Sequence, residues 1–145
     1  MKYKNDPSSE TLAEINKTLV FIREHTIGLV EKAGDTKWTQ GQTVFSYSDN
    51  ELHTYVYMIG ALKSGKVTWH IMPYYAIEVL RNKWSQDLVP FISGKSCINF
   101  DKFDDLPIEA LTNIVVDGTR QFKCVLSDFE QKKKVKHNKK KRSPG

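Results

Sequence analysis

QTVFSYSDNELHTYVYMIGALKSGKVTWHIM, from Gln42 to Met72, decides the fold, because it reads as three consecutive antiparallel strands. Asp49-Asn50 and Ser64-Gly65 are short turn-forming pairs between β-rich runs, so a two-residue hairpin loop is expected at each. In that register Lys63 opposes Lys66, Gly60 opposes Trp69, Met58 opposes Ile71, Ser48 opposes Glu51 and Phe45 opposes Thr54. Side chains alternate between faces with period two. One face then collects Phe45, Tyr47, Leu52, Val56, Met58, Leu62, Val67, Trp69 and Ile71, and is expected to be core. The other collects Val44, Ser46, His53, Tyr55, Tyr57, Ile59, Ala61, Thr68, His70 and Met72, aromatic bodies with polar tips.

Around this meander, 145 residues suffice for one domain that buries a core without staples. Cys97 and Cys124 are isolated and form no C-x-x-C, which suits a reducing compartment better than a secreted cystine scaffold. No apolar run approaches the ~20 residues of a membrane span, and the start lacks a signal-peptide pattern. The expectation is a soluble, cytoplasmic protein. The net charge of +5 is localised: eight of the 22 basic residues lie between Lys132 and Arg142, where no acid occurs. The remaining 14 stand against 17 acidic residues, so residues 1–131 are mildly acidic and form the expected domain. Residues 132–145, KKKVKHNKKKRSPG, have too little apolar content to fold alone and read as a disordered basic tail. Such a tail either makes weak non-specific electrostatic contact with nucleic acid or anionic lipid or serves as a solubilising terminus. No aromatic residue interleaves the lysines as a base-stacking platform would require.

Asp6-Pro7-Ser8-Ser9-Glu10 carries helix-initiating chemistry, and Leu12, Ile15, Leu19 and Ile22 form an apolar stripe on a helix expected to reach about Lys32. Trp38, in the segment leading to the first strand, reads as a plug for the end of the sheet. Pro73 stops the third strand, and Ile77, Leu80 and Trp84 mark a short helix from Tyr74 to Trp84. Leu88 to Ile92 is a connector and Gly94 to Phe100 a fourth strand. Ile108, Leu111, Val115, Gly118, Phe122 and Val125 then form the stripe of a last helix, with fraying expected near Asp128. The fold class is therefore α+β, a two-layer sandwich whose antiparallel sheet of about four or five strands carries the N- and C-terminal helices on one face.

Lys37-Trp38 before a strand ending Phe45-Ser46-Tyr47, the Lys63 to Pro73 passage followed by Ala76-Ile77, and Gly94-Lys95-Ser96 with Ile98, Phe100 and Leu106-Pro107 together carry a resemblance. Over roughly Leu12 to Phe122 the chain resembles the YdhG-like family of small bacterial domains. Thr39-Gln40-Gly41-Gln42 stands where that family has a proline after the tryptophan. The resemblance implies a frataxin-like sandwich and, because one member is assigned as an iron chaperone, intracellular carriage of iron. Iron with oxygen ligands requires clustered carboxylates. Asp101, Asp104, Asp105 and Glu109 lie close enough in sequence to supply them, although Asp104 or Asp105 as a cap of the last helix explains the same acids. Glu10 and Glu14, one helical turn apart, form either an acidic edge or an ordinary solvated surface.

No catalytic apparatus is legible. His53 and His70 share a face in the expected register but stand on the order of 20 Å apart, too far to share an ion. There is no G-x-S-x-G elbow, Cys97 has no evident histidine neighbour, and neither Ser-Gly-Lys triplet has phosphate-loop spacing. Two non-enzymatic readings follow, an iron carrier by resemblance and a module that binds a small ligand or peptide. The second would use Ser46, His53, Tyr55, Tyr57, His70 and Met72, with the Tyr74 to Trp84 helix as one wall.

Overall fold

The computed structural model describes residues 3–4, 6–48, 55–81 and 86–142. Helix α1 spans Ser9–His25; Ser8 caps it, its side chain accepting from the Thr11 amide at 3.2 Å. The expected continuation to Lys32 does not occur. Gly28 takes a left-handed φ of 82°, which turns the chain into strand β1, Leu29–Ala33. Strands β2 (Thr43–Tyr47), β3 (Tyr55–Ala61) and β4 (Val67–Ile71) form the meander, and β5 (Ile92–Ser93) and β6 (Cys97–Phe100) extend it. The result is one six-stranded antiparallel sheet in the order β1-β2-β3-β4-β6-β5. The two strands that the sequence reading did not place are β1, hidden in the supposed helix end, and the two-residue β5.

Both hairpin registers differ from the two-residue reading. The second loop is one residue longer. The Leu62 amide donates to the Lys66 carbonyl at 2.8 Å, enclosing Lys63-Ser64-Gly65 with Gly65 at φ 92°. Tyr57 therefore opposes Ile71, Met58 opposes His70 and Ile59 opposes Trp69. A slip of one residue exchanges the faces. In the first hairpin Ser46 pairs with Tyr55 and Phe45 with Tyr57, so Val56 is an extra residue on β3. Asp49, Asn50 and the rest of that connection lie outside the described residues.

This bulge lets Val56 and Tyr57 both join the core while Tyr55 does not. The buried cluster unites Phe45, Tyr47, Val56, Tyr57, Ile59, Val67, Trp69, Ile71, Ile98 and Phe100 from the sheet with Leu19, Phe21 and Ile22 of α1. Helix α4, Ile108–Arg142, adds Leu111, Ile114, Val115, Phe122 and Leu126. Phe21 lies 6.5 Å from Trp69, ring to ring. From α4, Thr119 shares a 2.7 Å hydrogen bond with the Tyr57 hydroxyl, and its carbonyl accepts from Tyr47.

The Tyr74 to Trp84 helix resolves into two short pieces, α2 (Met72–Ala76) and α3 (Glu78–Arg81), parted at Ile77; Trp84 lies outside the described residues. A Cβ on Gly118 would stand 3.5 Å from Pro73, so the small residue on the α4 stripe faces α2. Helix α4 does not fray near Asp128; its backbone is helical to Arg142, about 50 Å in all. Lys, Arg, Glu and Gln are good helix formers, and no Gly or Pro interrupts residues 119–143. No described helix is long and apolar enough to cross a membrane.

Candidate functional site: the Tyr55 side of the sheet

Cross-strand pairing places Val44 beside Met58, Ser46 beside Tyr55, and Met58 beside His70, so these residues share the side of the sheet opposite Tyr57 and Trp69. Beyond β1 the chain turns through residues 34–42 before returning as β2. Thr36 and Thr39 lock that turn: each backbone amide donates to the other's hydroxyl, at 3.0 and 3.2 Å, and the hydroxyls stand 2.7 Å apart. The Gly34 amide closes it on the Gln42 carbonyl at 2.8 Å. With the turn held this way, the Trp38 side chain is left outside. Trp38 is 76% exposed, with Lys37 Nζ 5.8 Å from its ring centre. It does not plug the sheet end.

Trp38 instead lines a cavity of about 430 Å³ together with Lys32, Asp35, Thr39, Val44 and Tyr55. Val44 and Tyr55 supply apolar floor and wall, Trp38 a flat platform, and Lys32 and Asp35 one charge of each sign. Beside Tyr55, the buried Ser46 hydroxyl has no hydrogen-bond partner among the described residues. Burial above all, then the neighbouring Tyr3, Cys97 and Tyr75, raises the Tyr55 phenol above its ordinary pKa.

On the other flank of Tyr55 lies His70, whose ring centre is 6.0 Å from that of Tyr55 and 6.0 Å from that of Tyr75 on α2. His70 Nδ1 is 3.2 Å from Cys97 Sγ and 3.4 Å from Ser96 Oγ. Sequence reading found no histidine for Cys97 because the two are 27 positions apart. Their adjacency comes from the pairing of β4 with β6, in which His70 directly opposes Cys97.

No family model, curated protein or solved structure matches this chain.

Of the expected pocket residues, Ser46, Tyr55 and His70 are brought together. Tyr57 is not. It is fully buried on the opposite side, its hydroxyl bonded to Thr119 and, at 3.3 Å, to the Val115 carbonyl. Desolvation drives its pKa far up despite the Thr119 bond, so it stays neutral. The register slip and the bulge account for the exchange. Met72 is the first residue of α2 and packs against the core cluster, and His53 lies outside the described residues.

Two of the four candidate carboxylates are paired with lysines. Asp101 pairs with Lys66 at 3.1 Å and Asp104 with Lys17 at 3.2 Å. Asp104 and Asp105 belong to a separate 3-10 turn, Phe103–Asp105, so neither caps α4, which begins at Ile108 with Glu109 in its first turn. Glu14 is occupied as well, accepting from the Phe103 amide at 3.1 Å and lying 3.4 Å from Lys17. Glu10, Glu14 and Asp101 border one groove together with Lys102. Among the described residues no three His, Cys, Asp or Glu side chains converge as metal ligands.

Proposed function

We propose that this protein is a non-enzymatic binding module that holds a small planar molecule in the cavity between Trp38 and Tyr55. In this reading α1 and α4 together cover the Tyr57 side of the sheet and leave the Tyr55 side for a ligand. Support for that division comes from Phe21 on Trp69 and from Thr119 on Tyr57. The observation that carries the proposal is the exposed Trp38 indole at the rim of a cavity floored by Val44 and walled by Tyr55. A tryptophan left in water by a hydrogen-bonded turn contributes little to folding, whereas a flat apolar ring beside a concave surface gains on covering an aromatic ligand. Lys32 and Asp35 would orient the ligand's polar groups. This reading is preferred to iron carriage, the other one suggested by the YdhG-like resemblance, because Asp101 and Asp104 are already engaged by lysines.

An aromatic sulfonate, 1-anilinonaphthalene-8-sulfonate, tests the cavity. Saturable fluorescence enhancement is expected at one site, and Trp38→Ala should weaken it about tenfold, the effect of losing roughly 1.4 kcal/mol of aromatic contact. Binding that is non-saturable or indifferent to Trp38→Ala would remove the proposal.

A further inference from the structure

The same side of the sheet carries chemistry that ligand binding does not use. Cys97 and His70 occupy directly opposed positions on β6 and β4, so the pair is held by two paired backbones and not by a loop. The Sγ to Nδ1 distance of 3.2 Å is within hydrogen-bond reach, and both side chains are half-buried, neither sealed nor free in water. A thiol beside an imidazole is the arrangement that yields a thiolate at neutral pH: the sulfur gives its proton to the ring, and the imidazolium then stabilises the anion. Ser96 Oγ, 3.4 Å from the same nitrogen, helps to fix the ring. Among the described residues, the titratable groups placed against the pair include the phenols of Tyr55 from β3 and Tyr75 from α2. Burial raises the Tyr55 phenol above its ordinary value, so at pH 7 it brings no charge to the pair.

We propose that Cys97 and His70 form a thiol–imidazole pair that exchanges with low-molecular-mass disulfides, making Cys97 a site of reversible S-thiolation. In the exchange, the Cys97 thiolate attacks one sulfur of R–S–S–R. The Cys97–S–S–R bond forms as the original S–S bond breaks, and the departing R–S⁻ takes the proton that His70 received from Cys97. No further oxidant is needed, since the incoming disulfide is reduced as Cys97 is oxidised. Neither Cys97 nor Cys124 is held in a disulfide, so the product is a mixed disulfide that a second external thiol reverses. Tyr55 and Tyr75 form apolar walls that suit the carbon skeleton of the departing thiol. This site requires no occupant in the Trp38 cavity and stands apart from the binding reading.

Cys124, exposed on α4, is the internal control. Full-length protein is treated with iodoacetamide across pH 5–10, and separately with oxidised glutathione at pH 7, with each cysteine followed by peptide mass spectrometry. Alkylation of Cys97 should be half-maximal at least one pH unit below that of Cys124. Glutathione should load Cys97 about tenfold faster, although it is the less exposed thiol. His70→Asn, checked for folding by circular dichroism, should remove the advantage and move the Cys97 profile up toward an ordinary thiol near about pH 8.5. A Cys97 profile in the unmodified protein that coincides with that of Cys124 or lies above it overturns the proposal, whatever the variant does. Slower glutathione loading at Cys97 than at Cys124 does the same, as does a folded His70→Asn variant with an unchanged Cys97 profile.

Discussion

Tyr55 and Tyr57 stand two positions apart on β3, where an unbroken strand would point both rings to one side. They are separated by the extra residue at Val56. Tyr57 lies under α4 with its hydroxyl on Thr119, fully buried, while Tyr55 lies half-buried between the Trp38 cavity and His70. One bulge thus assigns two identical side chains to different surroundings, one to the core and the other to the wall of a cavity. The difference shows why residue type alone does not mark a functional position here.

Truncation provides the largest test of this contrast. Tyr57→Ala is expected to cost about 3–5 kcal/mol in urea unfolding, the cost of emptying a packed aromatic site, and Tyr55→Ala less than half as much. Comparable losses at the two positions would mean that both rings are core and that Val56 is not an extra residue. A finer version removes only oxygen. Tyr57→Phe should lose roughly 1 kcal/mol through the Thr119 bond, with no measurable change for Tyr55→Phe.

Gly34 tests the other region, the turn that leaves Trp38 outside. A Cβ there would fall 1.9 Å from the Thr39 carbonyl oxygen, a backbone atom with little room to yield. Gly34→Ala should therefore cost about 1–3 kcal/mol and shift Trp38 fluorescence by reshaping the turn, while Tyr57 and its α4 partners stay in place. A stability change with unaltered Trp38 emission would detach the turn from the cavity.

The smallest expected effect lies between α1 and β1. Arg23 of α1 makes two 2.6 Å bonds to Glu31 of β1, and these bonds hold the Glu31 carboxyl below its usual pKa. Because the folded value is the lower one, the stabilisation is complete above the unfolded glutamate range and is lost as pH falls through the folded value. Both side chains are partly exposed, so the pair is worth at most about 1 kcal/mol at pH 7, less in high salt. Glu31→Gln should remove that increment at neutral pH and change nothing at the acid end, as thermal midpoints across pH 2–7 would show. An undiminished difference at low pH would mean that Glu31 acts through packing instead of charge.

Local pattern carried much of this protein. The α1 stripe from Ile15 to Ile22, the Ser8 cap, the β-rich Gln42 to Met72 stretch and the α4 stripe from Leu111 to Phe122 are all encoded in residues within one or two turns of each other, whereas Leu12, Ile108 and Val125, which continue those spacings, lie exposed. Nearest-neighbour sterics and apolar spacing suffice to read them. Strand β1 was illegible because Leu29-Val30-Glu31-Lys32-Ala33 continues a helical-looking run, and only the vacant edge of β2 recruits it into the sheet. For the candidate sites, the Tyr55 and His70 side was legible as a composition of aromatic bodies with polar tips. Trp38 as its rim, and Cys97 as the partner of His70, were not.

By itself, then, the sequence determined the types of α1, the three meander strands, β6 and α4, the α+β class and the presence of an aromatic-polar sheet face, because each rests on short-range periodicity. Tertiary structure decided which residues occupy that face. Side-chain direction alternates at every residue, so one added loop position at Lys63-Ser64-Gly65 and one bulge at Val56 exchange Tyr57 with its neighbours while leaving composition and hydrophobic spacing untouched. It also decided the Cys97 and His70 pair, since contact between residues 27 apart depends on which strands become neighbours and in what register, and no local interaction specifies either.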